Sequence, residues 1–169
     1  QKNSIFFSDA GATLSWTYQA ANRLYKCPEI YTAFNLHSMG YANCAAIGAS
    51  INKKNVYCII GDGSLPMNSQ EISWYKKYPI KMIIIDNKGY GIIRQTQKLF
   101  YNSRFIASDF INKDSSLPNF DLSKILNTFD IPFRILNEKK IQNDLTWFVN
   151  YKKSCALIAK IKYDTEVKT

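Results

Sequence analysis

Residues 55–90 read NVYCIIGDGSLPMNSQEISWYKKYPIKMIIIDNKGY, and the rest of the chain is arranged around them. The apolar run Val56–Ile60 has the length and composition of a buried strand. Gly61-Asp62-Gly63-Ser64 interrupts it, two glycines bracketing a carboxylate. Pro66 suits a first helical turn, where its missing N–H would have had no partner, and Met67–Tyr78 carries the helix. Ile80–Ile85 reads as a second strand, ending at Asp86-Asn87. Strand, helix and strand in this length predict a right-handed βαβ unit with two parallel, adjacent strands. Asp62 and Asn87 then meet just past the carboxyl ends of their strands, the edge at which open α/β sheets bind ligands.

The chemistry follows from the residue types. Asp62 offers a hard anionic oxygen, Asn87 a neutral one, and the sharp turn at Lys88-Gly89 can add a backbone carbonyl. Oxygens of this kind suit Mg2+ or Ca2+ and not a soft metal, and Mg2+ usually completes its shell with phosphate and water. Gly61 and Gly63 let the backbone approach a ligand closely. Free N–H groups at the start of the following helix favour an anion by roughly 0.3–1 kcal/mol from the dipole alone. That is too little to hold a diphosphate, so a metal must supply most of the attraction. Taken singly, Asp62 fits a helix cap and Asn87 a turn equally well. Together they read as a metal–diphosphate site.

Three blocks resemble the diphosphate-binding (PP) domain of thiamine-diphosphate-dependent, acetolactate-synthase-like enzymes. They are SMGYANCAAIGA at Ser38–Ala49, GDGSLPMNSQE at Gly61–Glu71 and DNKGYGIIRQTQ at Asp86–Gln97. A lone GDG is weak, since tight turns use the same letters. Three blocks in the family's order and close to its spacing are specific, and the resemblance covers nearly the whole chain. It implies thiamine diphosphate and Mg2+ as cofactors, with Asp62, Asn87 and the Gly89 carbonyl as metal ligands. Gly61, Gly63 and Ser64 fall on the diphosphate. Met39, by residue type equally a core side chain, matches the bulky residue that supports the bent cofactor. His37, Ser38, Tyr90, Gly91 and Ile92 complete the implied cofactor-binding set. His37, the sole histidine, replaces a glycine common in the family beside the expected aminopyrimidine pocket. Imidazole suits acid–base work near neutral pH, although a surface or packing role is the plainer reading.

The resemblance implies a decarboxylase or carboligase. A 2-oxoacid adds to the cofactor's C2 carbanion and loses CO2, and the enamine is protonated or joined to a second carbonyl. In this family the activating Glu lies on a separate pyrimidine-binding (Pyr) domain, so no catalytic side chain is expected here. Nothing places Glu29, Glu71 or Glu138 opposite the diphosphate site. No segment corresponds to a Pyr domain or a middle domain, so residues 1–169 are expected to form a single PP-type domain. As a fragment or a split subunit it would be inactive alone, and would work with the Pyr domain of the same or another chain in a homo-oligomer. The alternative is a catalytically silent PP-fold subunit serving assembly. A generic dinucleotide-binding domain is disfavoured, because no GxGxxG follows a strand and no acidic residue sits at the ribose distance.

Four departures from the family pattern bear on the reaction. Asp62 and Asn87 stand 25 residues apart, slightly close, with the turn before Pro79 trimmed. Asp86 stands where many relatives have a second Asn, and Cys44 replaces a common Pro. Thr96 occupies the place of a Trp that helps acetolactate synthases choose the second oxoacid, which argues against equating this chain with those enzymes. GYGIIRQTQ looks more like the synthase-like enzymes found with surface-sugar pathways.

Composition bounds these readings. A chain of 169 residues is one domain with room for a full core. Hydrophobic content is 46%, and no apolar run reaches membrane-spanning length. The start QKNSIFFSDAG lacks a secretory pattern, so a soluble, cytoplasmic protein is expected. Cys27, Cys44, Cys58 and Cys155 make no CxxC pair, and the last three sit in apolar segments, as buried free thiols would. The formal charge of +9 is spread over scattered lysines paired only at 53–54, 76–77, 139–140 and 152–153. No basic run is interleaved with aromatics, which disfavours a nucleic-acid role.

Along the chain, strand Ser4–Ser8 precedes a helix over Ala12–Lys26 with Leu14, Tyr18, Ala21 and Tyr25 on its inner face. Ile30–Phe34 is a short strand and Tyr41–Ile51 a helix. Its small residues Ala42, Ala45, Ala46, Gly48 and Ala49 admit a close neighbour. Ile92–Phe100 is a further helix. Residues 102–119 are irregular, and a loop this long is usually functional or mobile; the family orders such a segment over the cofactor, making it a candidate lid. Helix Asp121–Asp130, strand Pro132–Leu136, amphipathic helix Glu138–Tyr151 with Ile141, Leu145 and Phe148 inside, and strand Cys155–Ile161 follow. The tail after Tyr163 is expected to fray. The fold class is therefore α/β: a doubly wound, mainly parallel six-stranded sheet with helices on both faces. The resemblance makes it the thiamine-diphosphate-binding fold.

Overall fold

Apolar residues spaced two apart along short β-branched runs build the centre of the molecule. Val56, Cys58 and Ile60 face one way, as do Ile80, Met82 and Ile84 beside them, and all six are 0–1% exposed. The computed structural model describes residues 3–53, 55–111 and 117–168. Lys54 and residues 112–116, part of the irregular loop, lie outside the described residues.

The strands are β1 (Ile5–Ser8), β2 (Glu29–Tyr31), β3 (Val56–Gly61), β4 (Ile80–Asp86), β5 (Phe133–Ile135) and β6 (Cys155–Lys160). The α-helices are α1 (Ala12–Ala21), α2 (Tyr41–Ser50), α3 (Gly91–Phe100), α4 (Leu122–Thr128) and α5 (Ile141–Asn150). A 3-10 helix, Leu65–Lys76, joins β3 to β4. The six strands form one sheet in the order β2-β1-β3-β4-β6-β5. Every pairing is parallel, including β3 with β4 in the register Gly61↔Ile85. This is the doubly wound sheet the sequence predicts.

The chain leaves β1 toward β2 on one side and β3 toward β4 on the other, so the topological switch point lies between β1 and β3. Right-handed crossovers then put α1 and α5 on one face of the sheet, and α2, the 3-10 helix and α4 on the other. The larger core packs Ala42 and Ala46 of α2 and Ile72 and Tyr75 of the 3-10 helix on Ile5, Cys58, Ile60 and Ile84. The small residues of α2 thus serve close helix–sheet packing at Ala42 and Ala46, while a Cβ at Gly48 would meet nothing. The smaller core gathers Tyr57, Phe148, Cys155 and Leu157. Lys81, a charge inside β4, is only 9% exposed. Its Nζ donates to the Phe148 and Val149 carbonyls at the end of α5, so the ammonium closes a helix C-terminus.

Several sequence expectations are corrected. Helix α1 stops at Ala21, and Tyr18 and Tyr25 are exposed while Leu14 and Ala21 are buried. In α5, Phe148 is buried but Ile141 and Leu145 are exposed: the helix rotates so that one large ring fills the space against Tyr57. The Met67–Tyr78 helix is a 3-10 helix broken at Asn68, whose φ of −147° and ψ of 42° are non-helical. Cys44 is exposed; Cys58 and Cys155 are buried, and burial pushes the Cys155 thiol up to about 11. The tail is not frayed. Gln95 of α3 exchanges two hydrogen bonds with the Val167 backbone at 2.9 and 3.0 Å, and Lys98 pairs with Glu166 at 2.6 Å. Gln19 at the far end of α1 reaches the Lys168 carbonyl.

Two substitutions separate the buried positions from the merely apolar ones. Ile84→Ala, at the sheet centre, should cost about 2–5 kcal/mol, read as a lowered urea midpoint. Ile141→Ala, in a residue the periodicity places inside, should stay within about 0.5 kcal/mol of the parent.

Candidate functional site

The carboxyl edge of the sheet opens at the switch point into a cavity of about 620 Å³. Three loops leave strands there: Asp9–Gly11 after β1, Asp62–Ser64 after β3 and Asn87–Tyr90 after β4. Each leads into a helix whose first turn lacks a side-chain cap, namely α1 after Gly11, the 3-10 helix after Ser64 and α3 after Tyr90. The N–H groups at the starts of α1 and α3, which no side chain caps, favour an anion there.

At the same edge stands a buried carboxylate. Asp62 is 5% exposed. Its Oδ1 accepts from the Gly63 N–H at 2.9 Å, while its buried Oδ2 has no hydrogen-bond partner among the described residues. Burial first, and the neighbouring Asp86 second, push its carboxyl up to about 7. One end of the Asn87 amide lies 3.2 Å from Asp62 Oδ1 and 2.7 Å from the Gly89 carbonyl. With its NH2 turned that way, Asn87 donates to both. With its oxygen turned that way, three oxygens converge without a proton between them, an arrangement that a bound cation stabilises. The donor set therefore fits a small hard cation. Among the described residues, no three His, Cys, Asp or Glu side chains gather into a metal site of the other kind.

The loop that presents the Gly89 carbonyl is held from behind. Lys88 adopts a left-handed conformation with φ 57°, which costs a non-glycine residue roughly 1–2 kcal/mol. Residues 108–110 offset it by pairing across the turn: Tyr90 N–H donates to Ser108 O at 2.8 Å and Phe110 N–H to Lys88 O at 3.0 Å. The Arg94 guanidinium, stacked on the Tyr163 ring at 3.9 Å, donates to the Asn87 and Lys88 carbonyls. A methyl group at Gly89 would overlap Arg94 and the Ser108 carbonyl. Part of the segment expected as a lid is thus a buried support, since Ser108, Asp109 and Phe110 are at most 6% exposed. Tyr90 and Phe110 pack edge to face against Gly63, where no side chain would fit.

Of the sequence-derived residues, Gly61, Asp62, Gly63, Ser64, Asn87 and Gly89 line this cavity. So do His37, Met39, Tyr90, Gly91 and Ile92. Ser38 is exposed and is not among its walls. His37, in a left-handed conformation with φ 47°, leans on Phe34 at 5.9 Å between ring centres. Sequence reasoning missed the wall from β1 and α1, including Gly11, Thr13, Leu14 and Trp16. The signal was present in Ser8-Asp9-Ala10-Gly11, a strand end followed by a helix without a cap, but only the sheet order shows that β1 lies beside β3.

The fold and this cavity define an α/β domain with a ligand-sized cavity at the switch point of a parallel sheet. The family model described as "Thiamine pyrophosphate enzyme, C-terminal TPP binding domain" matches residues 9–159, and the chain belongs to that family. It is 34% identical over 155 residues to an acetolactate synthase large subunit of Pyropia yezoensis, covering 89% of this chain and 25% of the relative. It is 37% identical over 106 residues to the acetolactate synthase isozyme 2 large subunit of Escherichia coli K12, covering 60% and 19%. The chain thus spans about a quarter of the length of such relatives or less. Among the described residues no helix is long and apolar enough to cross a membrane.

The raised Asp62 carboxyl sets a pH dependence. Because its folded value, near 7, lies above the 3.8 of the free group, it adds stability at low pH and loses it as pH rises through about 7. For the metal-free chain at about pH 8, Asp62→Asn should raise Tm by about 2–8 °C. Added Mg2+ should raise the Tm of the parent and leave the variant unmoved, as measured by scanning calorimetry.

Proposed function

We propose that this chain is the thiamine-diphosphate- and Mg2+-binding half of an acetolactate-synthase-like enzyme acting on a 2-oxoacid. A Pyr domain of the same or another chain completes it within a homo-oligomer. The observation that carries this reading is the unpartnered Asp62 Oδ2 beside Asn87 and the Gly89 carbonyl, at the mouth of a cavity lined by the uncapped starts of α1 and α3.

In this reading each residue has a part. Asp62, Asn87 and the Gly89 carbonyl hold the cation. The backbone around Gly61, Gly63 and Ser64 and the start of α1 receive the diphosphate. Gly91 and Ile92, at the start of α3, line the cavity beside the start of α1, and Met39 supports the organic portion. When bound, thiamine diphosphate supplies the carbon nucleophile that decarboxylates a 2-oxoacid. The apolar walls from Leu14, Trp16, Ile85 and Ile92 exclude water around it. Leu36, Met39 and Ile93 leave apolar surface exposed at and beside the rim, where a Pyr domain would cover the cavity. The exposed thiols of Cys27 and Cys44 and the buried ones of Cys58 and Cys155 are unpaired, which accords with a reducing cytoplasm.

A catalytically silent subunit would have no need to keep Asp62 and Asn87 together, and their convergence favours the binding-competent reading. Calorimetric titration tests it. Thiamine diphosphate should bind only with Mg2+, and Asp62→Ala should weaken that binding by at least about tenfold. Binding indifferent to both metal and Asp62 would refute the reading. The chain alone should not turn over a 2-oxoacid; binding that stays without turnover when a Pyr domain is supplied would favour the silent subunit.

A further inference from the structure

A buried network lies behind the part of the cavity lined by His37 and Met39. Asp9, at the end of β1, is 0% exposed. Its Oδ2 accepts from the Gly40 N–H at 2.9 Å and its Oδ1 from the Ala42 N–H at 3.2 Å. From the other side, Asn68 Nδ2 donates to the Gly40 carbonyl at 2.9 Å. The peptide unit on each flank of Gly40 is therefore gripped by a different element. Asn68 is locked in turn, because Asn43 Nδ2 donates to its backbone and side-chain oxygens at 3.1 and 3.2 Å, and Tyr75 OH donates to Asn43 Oδ1 at 2.9 Å.

The geometry of Gly40 admits no substitute. Its φ of 84° is left-handed, and a Cβ would stand 2.8 Å from Asn68 Nδ2. The same contact accounts for the broken 3-10 helix: Asn68 leaves helical geometry as it bonds across to Gly40. Asn68 also lies four residues beyond Ser64, on the element that begins at the proposed diphosphate loop. The network thus ties that loop to the His37–Met39 wall.

We infer that Asp9 and Asn68 are positioning residues: by holding Gly40 they fix Met39 against the organic portion of the cofactor while contributing nothing to the diphosphate. The inference rests on the proposed function for the identity of the ligand, but the loop it describes is observable without one. Hydrogen bonds to a buried carboxylate are strong and their loss leaves an N–H unpartnered. The 37–40 loop should then open locally in the variants while the sheet stays intact.

Two measurements on the whole chain test this. In the ligand-free protein, amide exchange at Gly40 and Ala42 should quicken by at least about tenfold in Asp9→Asn and in Asn68→Ala. The ring signals of His37, the single histidine, should sharpen. Exchange and ring signals that stay as in the parent in both variants would overturn the inference, whatever the ligand. In calorimetry with Mg2+, both variants should bind inorganic diphosphate within about twofold of the parent and lose about tenfold for thiamine diphosphate. Met39→Ala should show the same split, with no further loss on combining it with Asn68→Ala. Equal losses for the two probes, or none, would overturn a positioning role. A parent chain that binds neither probe would remove the proposed function and leave the exchange result to judge the loop. If Asp9→Asn fails to fold, Asn68→Ala carries both measurements.

Discussion

Parallel pairing of β3 with β4 is the constraint on which the site depends. Their register sets Gly61 opposite Ile85, so the chain leaves both strands at one level, with Asp62 and Asn87 side by side. Parallel strands cannot be joined by a tight turn. The connection crosses the sheet as the 3-10 helix, and its uncapped start opens on the same edge. A carboxylate, an amide and a helix start that no side chain caps are thereby collected in one place. The result is a locally unfavourable arrangement, with a buried carboxylate oxygen left without a partner among the described residues. Ligand-binding sites store such imbalance because the ligand relieves it.

Opposite charges at the cavity divide the work of recognition. Helix starts alone hold anions weakly, and a single buried carboxylate repels them. A cation between the two converts both into attraction, which is why the proposed metal and diphosphate are coupled. Support for the loop that carries the Gly89 carbonyl comes from far away in sequence: Arg94 on α3, the stacked ring of Tyr163, and the 108–110 segment. The Asp9–Gly40–Asn68 network does the corresponding service for the wall at His37 and Met39. In the proposed reading one wall handles charge and the other shape.

Fully buried runs were legible because they need no partner to be recognised. VYCII is apolar on both faces and IKMIII everywhere but at Lys81, as strands covered from two sides must nearly be, and glycine and asparagine punctuate them. Surface helices were less legible. In α1 and α5 the apolar residues outnumber the buried positions, and only packing against a particular neighbour decides that Tyr18, Ile141 and Leu145 remain outside. The tail misled for the opposite reason. Its backbone is bound by the side chains of Gln95 and Gln19, and no local pattern in a polar segment announces a distant amide as its partner.

By itself, the amino-acid sequence determined the α/β class, the central βαβ unit and the pairing of Asp62 with Asn87, because these follow from local periodicity and the handedness of one crossover. Tertiary structure decided the strand order. That order brought β1 and the start of α1 to the cavity, turned 108–110 from a lid into a support, and broke the 3-10 helix at Asn68 so that it could reach Gly40. Each of these depends on hydrogen bonds or packing between residues tens of positions apart, and such contacts leave no periodic trace in the chain.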